Sequence, residues 1–193
     1  MKRITVFCGS SSGDDPLLME SAYQLGQRLA TLKIDVVYGG AKIGLMGAVA
    51  DGALSQGGQV IGVLPVFLQT KEIAHEGLTQ LIEVESMHER KLKMHELSDG
   101  VITLPGGYGT LEEYFEMLTW GQLGLHKKPV ALLNIGGFYD SLLTLADNMV
   151  TAGLLKSANR TMMLVSDDIN NLIDQMLAYE PPSVGKWLGV EKT

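Results

Sequence analysis

Residues 100–118, "GVITLPGGYGTLEEYFEML", join a short apolar run to a helical pattern through a turn that contains one proline and three glycines. The apolar run has the composition of a buried β-strand, and the segment after the glycines has the length and spacing of an α-helix. A strand that runs into a helix in this way is typical of the repeating unit of α/β proteins. Glu112 and Glu113 stand at the start of the helix, so either carboxylate could take part in chemistry or simply begin the helix.

The same alternation of short apolar runs and longer helical patterns continues along the 193 residues. Predicted strands cover residues 3–8, 35–39, 59–64, 81–85, 100–104, 129–134 and 161–165, and predicted helices cover residues 16–32, 44–56, 87–98, 110–123, 138–150 and 168–179. The runs are apolar almost throughout, as expected for strands that are buried on both faces of a sheet. The pattern predicts an α/β fold with a doubly wound parallel sheet of about seven strands. We expect a single domain over residues 1–180 and a C-terminal tail over residues 181–193.

Composition excludes several classes of function. Lysine and arginine number 15 against 22 aspartates and glutamates, a net charge of −7, and no basic block is longer than two residues. This balance argues against a nucleic-acid surface. Cys8 is the single cysteine, which excludes an intrachain disulfide and fits a reducing cytoplasm. No apolar stretch approaches the ~20 residues of a membrane-spanning helix, so we expect no membrane association.

Three predicted strands end in small residues, in "CGSSSG" (8–13), "YGGAKIGLMG" (38–47) and "LPGGYGT" (104–110). Ligands of parallel α/β sheets bind beyond the carboxyl ends of the strands, where a following helix directs free N–H groups at an anion. A phosphate is the natural occupant, although a single glycine in such a turn can also serve geometry alone. Neither the P-loop motif nor the dinucleotide fingerprint is present, which disfavours triphosphate hydrolysis and a nicotinamide cofactor.

The residues leave the role of Glu113 open. Thr110 and Glu113 have the spacing of a capping box, in which the threonine caps the helix and the glutamate reaches back to its N–H. Arg90 and Lys91 lie near the start of another predicted helix, where positive charge opposes the helix dipole, so they are either exposed charges or functional ones. His88 and His95 lack a third ligand at useful spacing, which disfavours a metal site, and Cys8 lacks an obvious activating histidine.

Four stretches together resemble a known family. They are "VFCGSSSG", "YGGAKIGLMG", "MHERKLKM" and "LPGGYGTLEEYFEMLTWGQLGLHKKPVALLN", and the last contains the signature P-G-G-x-G-T-x-x-E. They resemble the Lonely Guy (LOG) family over about residues 3 to 165. The resemblance implies a Rossmann-like homodimer that hydrolyses the N-glycosidic bond of adenosine 5′-monophosphates, including N6-modified cytokinin precursors, without a metal or organic cofactor. Many members carry an older "possible lysine decarboxylase" label.

The resemblance also implies which residues act. Glu113 and Arg90 would form the catalytic pair, with Glu113 stabilising an oxocarbenium-like sugar and deprotonating water. Arg90 would hold the phosphate or the ribose hydroxyls, or polarise the leaving base. The N–H groups of Gly107, Gly109 and Thr110 would hold the 5′-phosphate. The substrate contacts implied in full are Glu72, Lys91, Gly107, Tyr108, Gly109, Thr110, Leu111, Glu112 and Thr119. Ala41 departs from the family, in which many members have a third glycine in that turn.

For the predicted dimer, the residues add only that Tyr114, Leu118 and Leu125 could form an apolar face, with Phe115 and Trp120 elsewhere. Ordinary core packing explains these residues equally well.

The sequence is compatible with three functions. The leading one is a nucleoside 5′-monophosphate phosphoribohydrolase. The alternative is a non-catalytic module that binds AMP-like nucleotides with the same pocket. A lysine decarboxylase is disfavoured, since no lysine stands out as the Schiff-base former that pyridoxal phosphate requires.

Overall fold

A computed structural model describes residues 1–68 and 74–182 of the chain. Seven parallel strands form one sheet in the order β4-β3-β2-β1-β5-β6-β7. The strands are β1 (Arg3–Phe7), β2 (Asp35–Tyr38), β3 (Val60–Pro65), β4 (Gln80–Val84), β5 (Gly100–Thr103), β6 (Val130–Leu133) and β7 (Met163–Ser166). The helices are α1 (Pro16–Thr31), α2 (Gly44–Ser55), α3 (Met87–Leu97), α4 (Tyr108–Gln122), α5 (Asp140–Thr151), α6 (Ser157–Arg160) and α7 (Ile169–Leu177).

The strand order reverses at β1. The chain first builds outward from β1 to β4 on one side, and then crosses over to add β5, β6 and β7 on the other side. Phe7 at the end of β1 pairs with Thr103 at the end of β5, so the turns that follow these two strands lie side by side. This reversal opens the crevice in which doubly wound sheets bind ligands.

Helices cover both faces of the sheet, because consecutive strand residues point to opposite sides. Val6 belongs to a core cluster that includes side chains of α1, α2 and α7, whereas Phe7 belongs to a second cluster with side chains of α3, α4 and α5. The strands next to the centre are accordingly buried along most of their length, and β4, at the sheet edge, is mostly exposed. The doubly wound, Rossmann-like fold predicted from the apolar runs is confirmed.

Each strand and helix predicted from the sequence is present, and its ends agree to within two residues. The prediction missed α6, a single turn between α5 and β7, and two short 3₁₀ helices at Val66–Leu68 and Ile135–Gly137. Across the two described ranges, no helix is long and apolar enough to cross a membrane. Residues 183–193 lie outside the described part of the chain, so the proposed tail is described only to Pro182.

Candidate active site

A cavity of about 230 Å³ opens at the carboxyl ends of β1 and β5. All three glycine-containing turns predicted from the sequence contribute to it, and one face of α3 closes it. The lining residues are Val6, Phe7, Cys8, Gly9, Ser10, Gly39, Met46, Met87, Arg90, Met94, Gly107, Gly109, Thr110, Glu112 and Glu113. The three strand ends therefore converge on one site, as their sequences indicated.

Helix α4 begins at this cavity, and its N-cap is Gly107 rather than Thr110. The capping-box interpretation is therefore wrong: Thr110 is already the third helical residue, and no side chain of the described residues caps this helix. Glu113 lies in the second turn, three residues beyond residues 107–110, whose N–H groups lack a helical acceptor. The glycine-rich turn starts the helix earlier than the capping pattern predicts, so Thr110 and Glu113 do not occupy the N-cap and N3 positions of a capping box.

The turn before α4 leaves its backbone open to a ligand. A β-carbon on Gly107 or Gly109 would meet no atom within 4 Å, so both glycines adjoin open space. Gly106 has a different reason to be glycine, because a β-carbon there would lie 2.1 Å from Thr110 Oγ1. The first N–H groups of α4 thus face the cavity beside two residues that have no side chain, which is the arrangement that helix N-termini use to bind phosphate.

Arg90 enters the cavity from α3 and is held in place by the sheet. Its Nε donates a hydrogen bond to the Val63 carbonyl at 3.1 Å, and its side chain is only 8% exposed. A β-carbon at Gly39 would lie 2.0 Å from Arg90 Nη2. The glycine of the second turn therefore makes room for the guanidinium, a role that the sequence analysis missed because it read this turn only as a phosphate site.

Glu113 lies across the cavity from Arg90. Its Oε1 is 3.9 Å from Arg90 Nη1, and the carboxylate side chain is 11% exposed. That separation exceeds a charge-assisted hydrogen bond of about 2.8 Å, so a water molecule or a substrate hydroxyl can lie close to both groups. The structure brings together the two residues that the resemblance implied as the catalytic pair, although they are 23 positions apart.

Lys91 follows Arg90 in the chain, but its side chain pairs with the carboxylates of Glu112 and Glu116. Its Nζ lies 2.5 Å from Glu112 Oε1 and 3.1 Å from Glu116 Oε2, and its side chain is 6% exposed. Burial alone would lower the pKa of Lys91, but its interactions with the Glu112 and Glu116 carboxylates outweigh burial and raise the pKa. Lys91 is therefore a buried cation that joins α3 to α4.

Two further side chains support the turns. Tyr139 donates a buried hydrogen bond of 2.7 Å from its hydroxyl to the Leu104 carbonyl, at the start of the Pro-Gly-Gly turn. Cys8 ends β1 beside the cavity, and burial, followed by the charge of Glu113, raises the pKa of its thiol. A thiol held protonated is a poor nucleophile, in agreement with the prediction that Cys8 is not one.

Some of the predicted substrate-binding residues are not among those that line the cavity. Thr119 lines an apolar groove between α4 and α5 instead of the cavity, and Tyr108 is 96% exposed. Leu111 is half buried and packs against the core. Glu72 lies outside the described residues. Conversely, the cavity wall contains three methionines, Met46, Met87 and Met94, that the sequence analysis did not assign to the site.

The two histidines that were considered as metal ligands do not meet. His88 is exposed, whereas His95 is half buried in an edge-to-face contact with Trp120, with ring centroids 5.4 Å apart. In residues 1–68 and 74–182, no group of three or more histidine, cysteine or carboxylate side chains could hold a metal ion.

The chain is similar to a known family and to named proteins over most of its length. The family described as "possible lysine decarboxylase" matches residues 46–176. The cytokinin riboside 5′-monophosphate phosphoribohydrolase LOG7 of Arabidopsis thaliana is 47% identical over 180 residues, 93% of this chain and 83% of that protein. A probable cytokinin riboside 5′-monophosphate phosphoribohydrolase of Oryza sativa subsp. japonica, LOGL9, is 46% identical over 93% of this chain and 79% of that protein.

The fold is shared more widely. The molybdenum cofactor binding protein from the phototrophic bacterium Rippkaea orientalis superimposes with a TM-score of 0.67, at 25% identity, over 92% of this chain and 97% of that one. The identity to the plant proteins is much higher and extends over most of both chains, so the chain belongs with them rather than with the molybdenum cofactor binding protein. The chain belongs to the Lonely Guy family, the cytokinin riboside 5′-monophosphate phosphoribohydrolases that the family description still calls possible lysine decarboxylases.

Proposed function

We propose that this protein hydrolyses the N-glycosidic bond of adenosine 5′-monophosphates, with AMP and N6-modified AMP as substrates, to give the free base and ribose 5-phosphate. The observation that carries the proposal is the position of Arg90 and Glu113, which face each other at 3.9 Å in a cavity that also receives the N-terminus of α4. Identity of 47% to a named phosphoribohydrolase supports the same reaction.

The proposed binding mode uses the backbone. The 5′-phosphate lies at the start of α4, where Gly107, Gly109 and Thr110 line the cavity and the helix dipole favours negative charge. This local field attracts a dianion although the net charge of the chain is −7. Contacts to the phosphate, which does not react, add binding energy that can be used to orient the ribose.

Glu113 then acts at the bond that breaks. As the bond between C1′ and the base nitrogen lengthens, its electron pair moves to the base and positive charge develops on the sugar. The Glu113 carboxylate stabilises that charge and takes a proton from the water that attacks C1′. The base leaves with a proton from solvent, and ribose 5-phosphate remains. Arg90, buried and fixed by Val63, binds the ribose hydroxyls and orients them toward Glu113.

The test is an assay of base release. Purified protein is incubated with AMP, with isopentenyladenosine monophosphate and with adenosine, and the free base is separated by chromatography. We expect release from both nucleotides, at least about 100-fold slower release from adenosine, and loss of at least about 100-fold in the Glu113→Ala variant. No base above the Glu113→Ala background would contradict the proposal. Tight AMP binding without turnover would favour the non-catalytic nucleotide-binding module, which otherwise has no observation in its favour.

We also propose that the protein acts as a homodimer in the cytoplasm. The groove between α4 and α5 has a volume of about 220 Å³ and mostly apolar walls, and Phe115 and Leu145 at its edge are 38% and 49% exposed. Leu125 nearby along the chain is 65% exposed, whereas Tyr114 is fully buried in the core and does not belong to this face. An apolar surface of this kind supports association with a second copy.

The single cysteine supports a reducing compartment, and the acidic net charge supports a small substrate rather than nucleic acid.

A further inference from the structure

Lys91 differs from the other lysine of α3. The side chain of Lys93 is 41% exposed and pairs with Glu96 on its own helix, whereas the side chain of Lys91 is 6% exposed and pairs with α4. Lysines are seldom buried unless a partner compensates their charge, so the burial of Lys91 requires an explanation.

The partners of Lys91 lie on one face of α4. Glu112 and Glu116 are four residues apart, one helical turn, and their carboxylates approach the same ammonium at 2.5 and 3.1 Å. Like charges at this spacing repel each other in the absence of a cation between them. Glu116 Oε2 is fully buried and makes no aligned hydrogen bond in the described part of the chain, so the Lys91 charge is what compensates it there. Lys91 thus connects two carboxylates of α4 to α3.

The reacting pair lies one residue away on each helix. Arg90 precedes Lys91 on α3, and Glu113 follows Glu112 on α4. The cavity is lined by Arg90, Glu112 and Glu113. Lys91 is not among the described residues that line it. The Lys91 side chain, which joins the two helices, is therefore adjacent to the pair in sequence but does not line the cavity.

We propose, on the basis of the function proposed above, that Lys91 is a positioning residue: by binding Glu112 and Glu116 it holds α4 at the distance from α3 at which Arg90 and Glu113 meet across the cavity. In this role the lysine ammonium acts through the two helices, and the substrate phosphate is not its partner. A displacement of about 1 Å between such groups can reduce a rate by roughly 100-fold, which sets the scale of the expected effect.

The kinetic test compares Lys91→Met with Lys91→Arg and with Lys93→Met as the matched control on the same helix. We expect Lys91→Met to lower kcat by roughly 10- to 100-fold while KM for AMP changes by less than about threefold, since the groups that bind the phosphate remain in place. Lys91→Arg should recover most of kcat, and Lys93→Met should match the wild type. A rise in KM for AMP, with kcat unchanged, would show that Lys91 contacts the substrate and would overturn the proposal.

Coupling to Glu116 gives a second kinetic measurement. Glu116 does not line the cavity, so Glu116→Gln should lower kcat only by loosening the contact with Lys91. The double variant Lys91→Met/Glu116→Gln should then be no slower than Lys91→Met alone. Independent, multiplicative losses would contradict a shared role. Glu116→Gln also keeps the proposal testable if Lys91→Met does not fold.

Hydrogen–deuterium exchange tests the positioning without reference to turnover. Amides of residues 108–116 should exchange at least about fivefold faster in Lys91→Met than in the wild type, while Lys93→Met leaves them unchanged. Unchanged exchange in Lys91→Met would overturn the proposal even if the wild type released base normally. Conversely, faster exchange in a protein that releases no base would support the positioning role while the proposed reaction failed.

Discussion

Gly39 makes the room that the Arg90 guanidinium occupies: a β-carbon at residue 39 would lie 2.0 Å from Arg90 Nη2. The contact joins the turn after β2 to the first part of α3. It explains a glycine that the sequence alone assigned to a phosphate turn, and it makes the orientation of Arg90 depend on a residue without a side chain.

Gly39→Ala should therefore impair the reaction by displacing Arg90. A methyl group cannot coexist with the guanidinium in its present position, so the side chain must move away from Glu113 and weaken its bond to Val63. We expect a loss of roughly 100-fold in kcat and a loss of about 1–3 kcal/mol in the free energy of unfolding. Base-release kinetics and urea unfolding measure the two effects.

Gly121→Ala is the matched control, because residue 121 lies in α4 away from the cavity. A β-carbon there would meet the flexible end of Met162, which can move. Its activity should equal that of the wild type. If Gly39→Ala were also fully active, Arg90 would not need its present orientation.

Tyr139→Phe should destabilise the turn before α4. The hydroxyl of Tyr139 donates to the buried Leu104 carbonyl, and its removal leaves that acceptor without this bond. The expected cost is about 1–3 kcal/mol in the free energy of unfolding, measured by urea titration.

Tyr114→Phe provides the comparison. The Tyr114 hydroxyl is buried and has no hydrogen-bond partner among the described residues, so its loss should be neutral or stabilising. Equal destabilisation by Tyr139→Phe and Tyr114→Phe would mean that the hydrogen bond to Leu104 makes no specific contribution to the free energy of unfolding.

Acid should weaken the fold through His95. Burial, followed by the charges of Lys128 and His126, lowers the pKa of His95 from 6.5 to about 4. Between these values the unfolded chain binds a proton that the folded chain does not, so stability falls as the pH falls from 6.5 toward 4. Burial lowers the pKa of His126 as well, which acts in the same direction.

Unfolding midpoints in urea at pH 7 and pH 5 measure this dependence. His95→Phe keeps a ring against Trp120 but cannot titrate, so the difference between the two pH values should become smaller. His88→Gln, at an exposed position of the same helix, should retain the wild-type difference. A wild-type midpoint that did not change between pH 7 and pH 5 would contradict the role of His95.

The proposed dimer predicts a mass of twice 20.9 kDa by light scattering at micromolar concentration. Leu145→Glu places a charge on the groove between α4 and α5 and should give the monomeric mass. Leu177→Glu, on α7 at a position of similar exposure, should remain dimeric. A monomeric wild type would refute the dimer and leave the groove without an assigned partner.

The sequence predicted the layered fold well because the relevant signals are local. Apolar runs of five or six residues identify buried strands, and spacings of three and four identify helices, whatever the rest of the chain does. The helix start at Tyr108 was missed for a related reason. The capping box at Thr110 is also a local pattern, and the neighbouring glycines permitted an earlier start that the pattern could not exclude.

The site itself was only partly predictable. The family resemblance implied Glu113 and Arg90, which the structure places 3.9 Å apart, and the strand ends located the crevice, since parallel strands place their carboxyl ends at one edge. No sequence signal indicated that Lys91 pairs with Glu112 and Glu116. The same holds for the space that Gly39 leaves for Arg90 and for the burial of Tyr114. Each of these depends on which helix lies beside which.

By itself, then, the sequence determined the order and type of the elements, the glycine-rich turns and the family. Tertiary structure alone decided which charges meet. Helices α3 and α4 follow different strands, and they become neighbours only because β5 is added next to β1, on the opposite side from β4. Ion pairs require approach to within about 4 Å, so the contacts of Arg90 with Glu113 and of Lys91 with α4 exist only once the sheet has set that distance.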